Sequence, residues 1–316
     1  MEKKRNGLLE VYRLFFCFWV MYFHDFLFLG KTGDFSGGYL GVEFFFILSG
    51  FFLMRSMRKF KDERIMEGVK KLVGSRLKTM AMPLLVCIPF NLICATIFFL
   101  DDFIYSFGFS ICYLWYILYL VIGIVIFYLL YRWIKQEKGF IIVLNVLAVA
   151  MCAVHFSIGS KYDYYAHYSL FGVRMLWTMS VGMLLSYVPQ KALKWKNFNV
   201  YTLLIPIVVA VLFYLAYIPK TYGLHFVMVV LFVCLIYISS TVNVGGKFFD
   251  YIGKLSVRMY IYMALLCMLS LFGLVDYRIL FLIDLVVSNL DLWLSKYYQK
   301  WPLFQKMWQM KGACTR

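Results

Sequence analysis

Charge is what this sequence has least of. Asp, Glu, Lys and Arg together make up 15% of its 316 residues, and only 16 of those residues are acidic. A soluble domain of this length needs far more polar surface to cover one core, so a water-facing fold is excluded. Histidine is scarcer still, at four residues. No Cys-x-x-Cys occurs, and most of the eight cysteines sit inside apolar runs, as Cys17, Cys87, Cys94, Cys152 and Cys234 do. That pattern predicts neither disulfides nor zinc, but small apolar side chains packed between helices. No internal repeat is apparent, and paired Gly/Pro-broken helices are missing, so an inverted-repeat transporter has no direct support. A segment able to form a water-soluble domain is missing as well.

What is present in excess is apolar surface: 63% of residues are hydrophobic and 21% aromatic. A bilayer-spanning helix needs about 20 such residues. Ten segments qualify, at 8–29, 38–56, 80–99, 111–131, 139–157, 167–187, 199–217, 223–241, 251–273 and 278–295. Segments 6 and 10 are the most interrupted, by Arg174, Asp284 and Asp291. The first run follows Lys3, Lys4 and Arg5, as a signal peptide would. It is too long for one, carries Arg13 and His24, and lacks a small-residue cleavage site, so it reads as the first transmembrane helix.

The net charge of +16 is distributed by loop. A basic stretch from Arg55 to Lys78 joins segments 2 and 3, and every second junction repeats the bias through Arg132, Lys135, Lys138, Lys191, Lys194, Lys196, Lys247 and the C-terminal tail. The alternate junctions hold Lys31, Lys161 and Lys220 beside acids such as Asp34, Asp101, Asp102 and Asp163. Positive-inside distribution places both termini in the cytoplasm, which an even number of spans satisfies. It also accounts for the basic balance without nucleic acid as a partner. The expected fold is an all-α polytopic transmembrane bundle of about ten helices. Residues 1–316 form a single integral membrane domain, the last ~20 residues being a cytoplasmic tail. Tyr- and Trp-rich stretches near Tyr113 and Tyr162 read as interfacial belts.

Ionisable residues inside such segments are costly and mark a cavity or a partner. Arg13 and His24 are eleven residues apart, which puts them on one helix face about 16 Å apart along the axis. This suggests a polar path through the bundle; snorkelling of Arg13 and a structural hydrogen bond at His24 explain the pair equally well. Glu43 and Arg174 enter their segments at the depth of His24. Glu43 either orients His24 as a general base for hydroxyl-directed acyl transfer or forms a structural pair with Arg174. Arg258 and Asp291 read as a structural ion pair. His155, His167 and His225 fall near outer ends, where a histidine needs no special role. Arg76 and Lys78, at the entrance to segment 3, suit the phosphates of a nucleotide-like donor such as coenzyme A, as well as positive-inside topology.

These residues resemble a known family. Segment 1, with an Arg followed by ten residues and a His at Arg13 and His24, is similar to the opening of the membrane-bound acyltransferase-3 family. Segment 2 resembles its glycine–aliphatic–acid–aromatic run through Gly41, Val42 and Glu43, ending in Ser49, Gly50 and Phe51. LWYILYL in segment 4 and Gly253, Ser256 and Tyr260 in segment 9 are similar to later motifs. The resemblance implies a ten-helix core that moves an acyl group, usually acetyl, from cytoplasmic acyl-CoA to a hydroxyl of a sugar or glycan. It implies His24 as the catalytic histidine, Arg13 as its helix partner, and Arg76 as the first position of an Arg-x-x-Arg motif that binds the donor. Thr79 stands at that motif's second position, and Met263 stands where the late motif often closes with His.

The combined expectation is an integral membrane O-acyltransferase acting on a cell-envelope saccharide or lipid-linked sugar. His24, Glu43 and Arg13 form its catalytic set, and Arg76 and Lys78 hold acyl-CoA, with no metal. Envelope-polysaccharide assembly proteins are the expected partners. A transporter or flippase without acyl chemistry is the alternative, and a catalytically silent sensor derived from the enzyme is a third reading.

Overall fold

Among the described residues, ten helices fall on the ten apolar segments. In the computed structural model, residues 6–28, 38–98, 115–159, 169–189, 200–217, 222–242, 244–271, 276–298 and 300 are described. In chain order the helices are α1 (Gly7–Phe28), α2 (Gly41–Lys59), α3 (Ile65–Phe98), α4 (Trp115–Ile134), α5 (Glu137–Gly159), α6 (Ser169–Leu185), α7 (Val200–Tyr217), α8 (Tyr222–Thr241), α9 (Lys247–Leu271) and α10 (Leu280–Tyr298). A 3-10 turn, Gly38–Leu40, runs directly into α2. Among the described residues, four stretches are long and apolar enough to cross a bilayer: Gly38–Lys59, Ile65–Phe90, Trp115–Ile134 and Glu137–Ile158. Leu170–Leu185, Leu204–Leu215 and His225–Thr241 are shorter apolar helices.

The basic stretch from Arg55 to Lys78, expected as a loop, is mostly helix. α2 continues to Lys59, and α3 starts at Ile65 and runs for 34 residues. Glu, Lys, Arg, Leu and Met dominate residues 65–80, and these are strong helix formers that need no bilayer to coil. Only a short turn remains. Phe60 N–H closes α2 on the Met57 carbonyl at 3.0 Å, and the Phe60 carbonyl accepts from Tyr128 Oη at 2.9 Å. The turn between α4 and α5 is tighter still, and Lys135 takes φ 53° to make it.

α2 is the axis of the bundle, buried along most of its length from Gly41 to Met57. It crosses α6 at backbone contact. A Cβ on Gly50 would collide with the Met179 carbonyl, and a Cβ on Gly182 would collide with the Ile47 carbonyl. The two glycines let the helices approach closely enough for main-chain packing, which is how helices associate where no hydrophobic drive separates protein from lipid. α9 packs on α1, α3 and α10. There the Cys17 thiol donates to the Ser256 carbonyl at 3.5 Å and the Cys87 thiol to the Ile261 carbonyl at 3.6 Å. The rim helices turn apolar residues outward, as α5 does with Ile142, Val146 and Val149. Exposed apolar stripes of this kind fit a lipid environment and not water.

Asn6, at the start of α1, and Tyr298, at the end of α10, reach the same end of the bundle, which also holds Lys59 and Lys247. We call this the basic end. Residues 1–5 and 301–316, including the expected tail, lie outside the described residues, as do Tyr113, Tyr162 and His167. Trp115, in the expected interfacial belt, is half-buried. Its ring stacks on Phe171 at 4.0 Å between centroids and 16° between planes.

Candidate active site

The end of the bundle opposite the basic end holds a buried charge cluster. Glu43 lies in the first turn of α2, where the helix dipole favours an anion, and its residue is fully buried. Arg174, from the first half of α6, donates from Nε to Glu43 Oε1 at 2.6 Å and from Nη2 to Oε2 at 2.7 Å. Nη2 also reaches the Tyr39 carbonyl at 3.4 Å. Around the guanidinium stand the rings of Tyr39, Trp115 and Phe171, at 5.4, 5.3 and 5.8 Å from Cζ. A planar, weakly hydrated cation gripping both carboxylate oxygens and faced by rings is the arrangement in which a buried ion pair is best compensated.

Two histidines join this cluster. His225, from α8, places Nε2 3.3 Å from Glu43 Oε1. His155, from α5, accepts a hydrogen bond at Nδ1 from Trp177 Nε1 at 3.2 Å, so that nitrogen is unprotonated. The two imidazoles meet edge to face, with centroids 5.0 Å apart. Both residues are 2% exposed or less, which corrects the expectation that they lie at the interface. Near the ends of α5 and α8 the two rings pack on each other and on Trp177, so nearness to a segment's end did not mean nearness to water. Sequence showed only that both histidines sit in apolar runs; their nearness to Glu43 is set by helix packing.

His24 lies one turn before the end of α1 and is half-buried. Its neighbour Phe23 packs on Tyr39 at 6.0 Å between centroids, which sets His24 at the level of the cluster. Glu43 itself is engaged by Arg174 and His225, and His24 is not among its hydrogen-bond partners in the described residues. Of the two arrangements left open for Glu43, the pair with Arg174 is therefore the one formed. The reason is chemical: a guanidinium matches two carboxylate oxygens at once and an imidazole cannot.

The basic end encloses a cavity of about 1370 Å³. Arg13, Arg76 and Lys78 all line it, so three of the five expected site residues converge there while His24 and Glu43 stand at the far end. Arg13 is paired with Glu10 at 3.0 Å. Gly253 makes room for that carboxylate, because a Cβ there would strike it. Thr79 faces the same cavity and turns its hydroxyl back to the Arg76 carbonyl at 2.8 Å. The wall also holds Arg55, Lys59, Lys247, Lys254 and Lys296, none of which sequence reading assigned to a site. They come from α2, α9 and α10, and nothing in a linear sequence distinguishes them from ordinary loop charge. In all, nine cationic side chains line this space against two carboxylates, Glu10 and Asp250.

Further polar groups lie away from the Glu43 cluster. Ser49 and Tyr116 share a hydroxyl–hydroxyl bond at 3.2 Å, and the Tyr116 ring lies 5.3 Å from that of Tyr260. On α10, fully buried Asp284 accepts from Ser288 Oγ at 3.0 Å. The expected pair of Arg258 with Asp291 is formed, Nε donating to Oδ2 at 2.6 Å, with Tyr298 Oη donating to Oδ1 at 3.2 Å. The bundle thus has a basic cavity at one end, a histidine near the other, and one helix, α1, running between them.

No curated protein and no solved structure matches the chain. A family model described as an acyltransferase domain matches residues 6–295, and with it all ten helices to within a few residues of the last. With a match of that extent and an all-helical apolar fold, this chain is a membrane protein of the acyltransferase-3 family.

Proposed function

We propose that the chain is a multi-pass cell-membrane O-acyltransferase. It moves an acyl group, acetyl for preference, from cytoplasmic acyl-CoA to a hydroxyl of a cell-envelope saccharide or lipid-linked sugar. The observation that carries the reading is the convergence of Arg13, Arg76 and Lys78 on one basic cavity, with His24 farther along the helix that bears Arg13. Positive-inside distribution sets that cavity on the cytoplasmic side, where acyl-CoA is found. Cations there hold the donor's phosphates, and its narrow pantetheine arm extends along α1 past Arg13 toward His24.

At the far end, His24 takes the proton from the acceptor hydroxyl as its oxygen attacks the thioester carbonyl. The tetrahedral intermediate collapses by breaking the carbon–sulfur bond. The departing thiolate then takes the proton back from the His24 imidazolium, leaving ester and free CoA with no net change in protons. A base in this role contributes about 10²- to 10⁴-fold. Glu43 acts through structure: with Arg174 and His225 it fixes the far ends of α2, α6 and α8 around the reacting groups.

The test is His24→Ala expressed in the native envelope, with protein level measured beside envelope acylation. Loss of acylation at unchanged protein level is expected; wild-type modification overturns the reading. A purified wild-type protein that never consumes acetyl-CoA, while His24→Ala still blocks movement of a glycan, establishes a transporter instead.

A further inference from the structure

α5 lies at the edge of the bundle, packed on α6 and α4. Its inner face buries Phe140, Leu144, Ala148 and His155. Its outer face turns Ile142, Asn145, Val149 and Ala153 away from the protein, and all four are exposed. Steps of three, four and four residues keep these side chains within an arc of about 80°. Three of them are what a lipid-facing helix needs, and Asn145 is not. It stands about 12 Å along the axis from Glu137, the first residue of the helix. That depth lies inside a hydrocarbon layer about 30 Å thick. Asn145 Nδ2 donates to the Ile141 carbonyl at 2.8 Å, which uses one N–H. The second N–H and Oδ1 have no hydrogen-bond partner among the described residues. Acyl chains cannot supply one.

We propose that this face of α5 is the contact surface for a second copy of the chain, the Asn145 amides of the two copies bonding to each other. The amide decides between occupants. Ile142, Val149 and Ala153 are covered equally well by acyl chains or by another helix, whereas a side chain holding both donor and acceptor is complementary only to a polar partner. A second Asn145 supplies both, each Nδ2 donating to the Oδ1 of its counterpart. The membrane supplies the alignment. Every copy has one orientation in the bilayer, so a symmetric pair has its two-fold axis along the membrane normal. The two α5 helices then run side by side in the same direction, and each residue of the stripe meets its own counterpart. Spacing by threes and fours is that of a left-handed helix pair, with β-branched Ile142 and Val149 flanking the polar position. One amide in such a seam fixes its register. Lys138, two turns before Asn145 on the same side, is exposed at the basic end, where its ammonium group reaches water instead of its counterpart. The proposal concerns assembly and does not rest on the acyl-transfer reading.

The experiment places the full chain, one dye per copy, in liposomes of increasing lipid-to-protein ratio and counts bleaching steps per particle. Wild type is expected to show dimers that dissociate on dilution. Asn145→Leu should weaken the dimer about three- to tenfold, the scale of one hydrogen bond between helices in lipid. Its monomer should unfold in detergent at no lower a temperature than wild type, because the side chain faces outward. A thiol crosslinker in native membranes reads the surface directly. Val149→Cys should yield a dimer above the background set by the native cysteines, and Ile207→Cys, exposed on α7, should not. Wild type that is monomeric at every ratio shows that lipid alone covers α5, and overturns the proposal. A dimer that Asn145→Leu leaves unchanged, or that crosslinks through Ile207→Cys in place of Val149→Cys, assembles on another surface and overturns it too. So does a Val149→Cys adduct whose mass differs from twice the chain, which marks a different partner. A lower unfolding temperature for the Asn145→Leu monomer gives the amide a place inside one copy, with the same result.

Discussion

Arg174 and Glu43, 131 residues apart in sequence, are joined by two hydrogen bonds of 2.6 and 2.7 Å in a site with almost no exposure. The pair ties the start of α2 to α6 and draws in His225 from α8. Because both charges are removed from water, their value lies in the geometry and in what happens when one partner is lost.

Glu43→Gln should therefore destabilise the protein by about 3–5 kcal/mol, since Arg174 would keep a buried charge without its counterion. Arg174→Met should cost a similar amount, and the double variant should lose less than the two singles combined. Thermal unfolding in a fixed detergent measures all three. Additive losses would show that the pair is not coupled.

His225 contacts the same carboxylate through one nitrogen at 3.3 Å. His225→Gln retains a donor and should change stability little. His225→Leu removes the donor beside a buried anion and should cost about 1–3 kcal/mol. Acylation per folded molecule should fall far less in either variant than in His24→Ala. An equal loss of turnover would give His225 a direct part in the chemistry.

The α2–α6 crossing gives a steric prediction. Gly50→Ala and Gly182→Ala each drive a methyl group into a main-chain carbonyl of the neighbouring helix, and should cost about 1–3 kcal/mol. Gly74→Ala is the control: it lies in α3 with nothing within 4 Å of the added methyl group, so helix propensity alone should make it neutral or slightly stabilising, by up to about 1 kcal/mol. Unfolding temperatures of the three variants decide it, and a Gly74→Ala loss equal to the others would refute the packing explanation.

Arg258, Asp291 and Tyr298 form the third polar network, beside the basic cavity. Asp291→Asn leaves a mostly buried guanidinium with a neutral partner, and should lower stability by about 3 kcal/mol, less if water from the cavity reaches it. Tyr298→Phe removes one hydroxyl and should cost about 1 kcal/mol. The ratio of these losses, read from the same unfolding assay, tests whether the charge or the hydroxyl dominates.

Hydropathy and loop charge made the ten helices legible because a bilayer imposes length and composition on each span. The start of α3 was hidden: its first turns, around Glu67 and Lys70, are polar, and hydropathy reads polar helix as loop. The Arg258–Asp291 pair could be read because the two charges lie in adjacent helices joined by a short connection. The partner of Glu43 could not be fixed, because depth along a helix is legible in sequence and azimuth between distant helices is not. His24 matched Glu43 in depth as well as Arg174 did; only the packed bundle separates them. Likewise Lys254 and Lys296 are ordinary loop-adjacent charges until α9 and α10 are set against α2 and α3.

The crossing at Gly50 and Gly182 gives α2 the mechanical character of a beam pinned near its middle. Glu43 sits on one arm of that beam, and Arg55 and Lys59 sit on the other. With main chain seated on main chain at the pin, α2 cannot slide along α6 without first lifting away from it. The Glu43–Arg174 pair is a second tie between the same two helices, so α2 and α6 are joined at two points along their length.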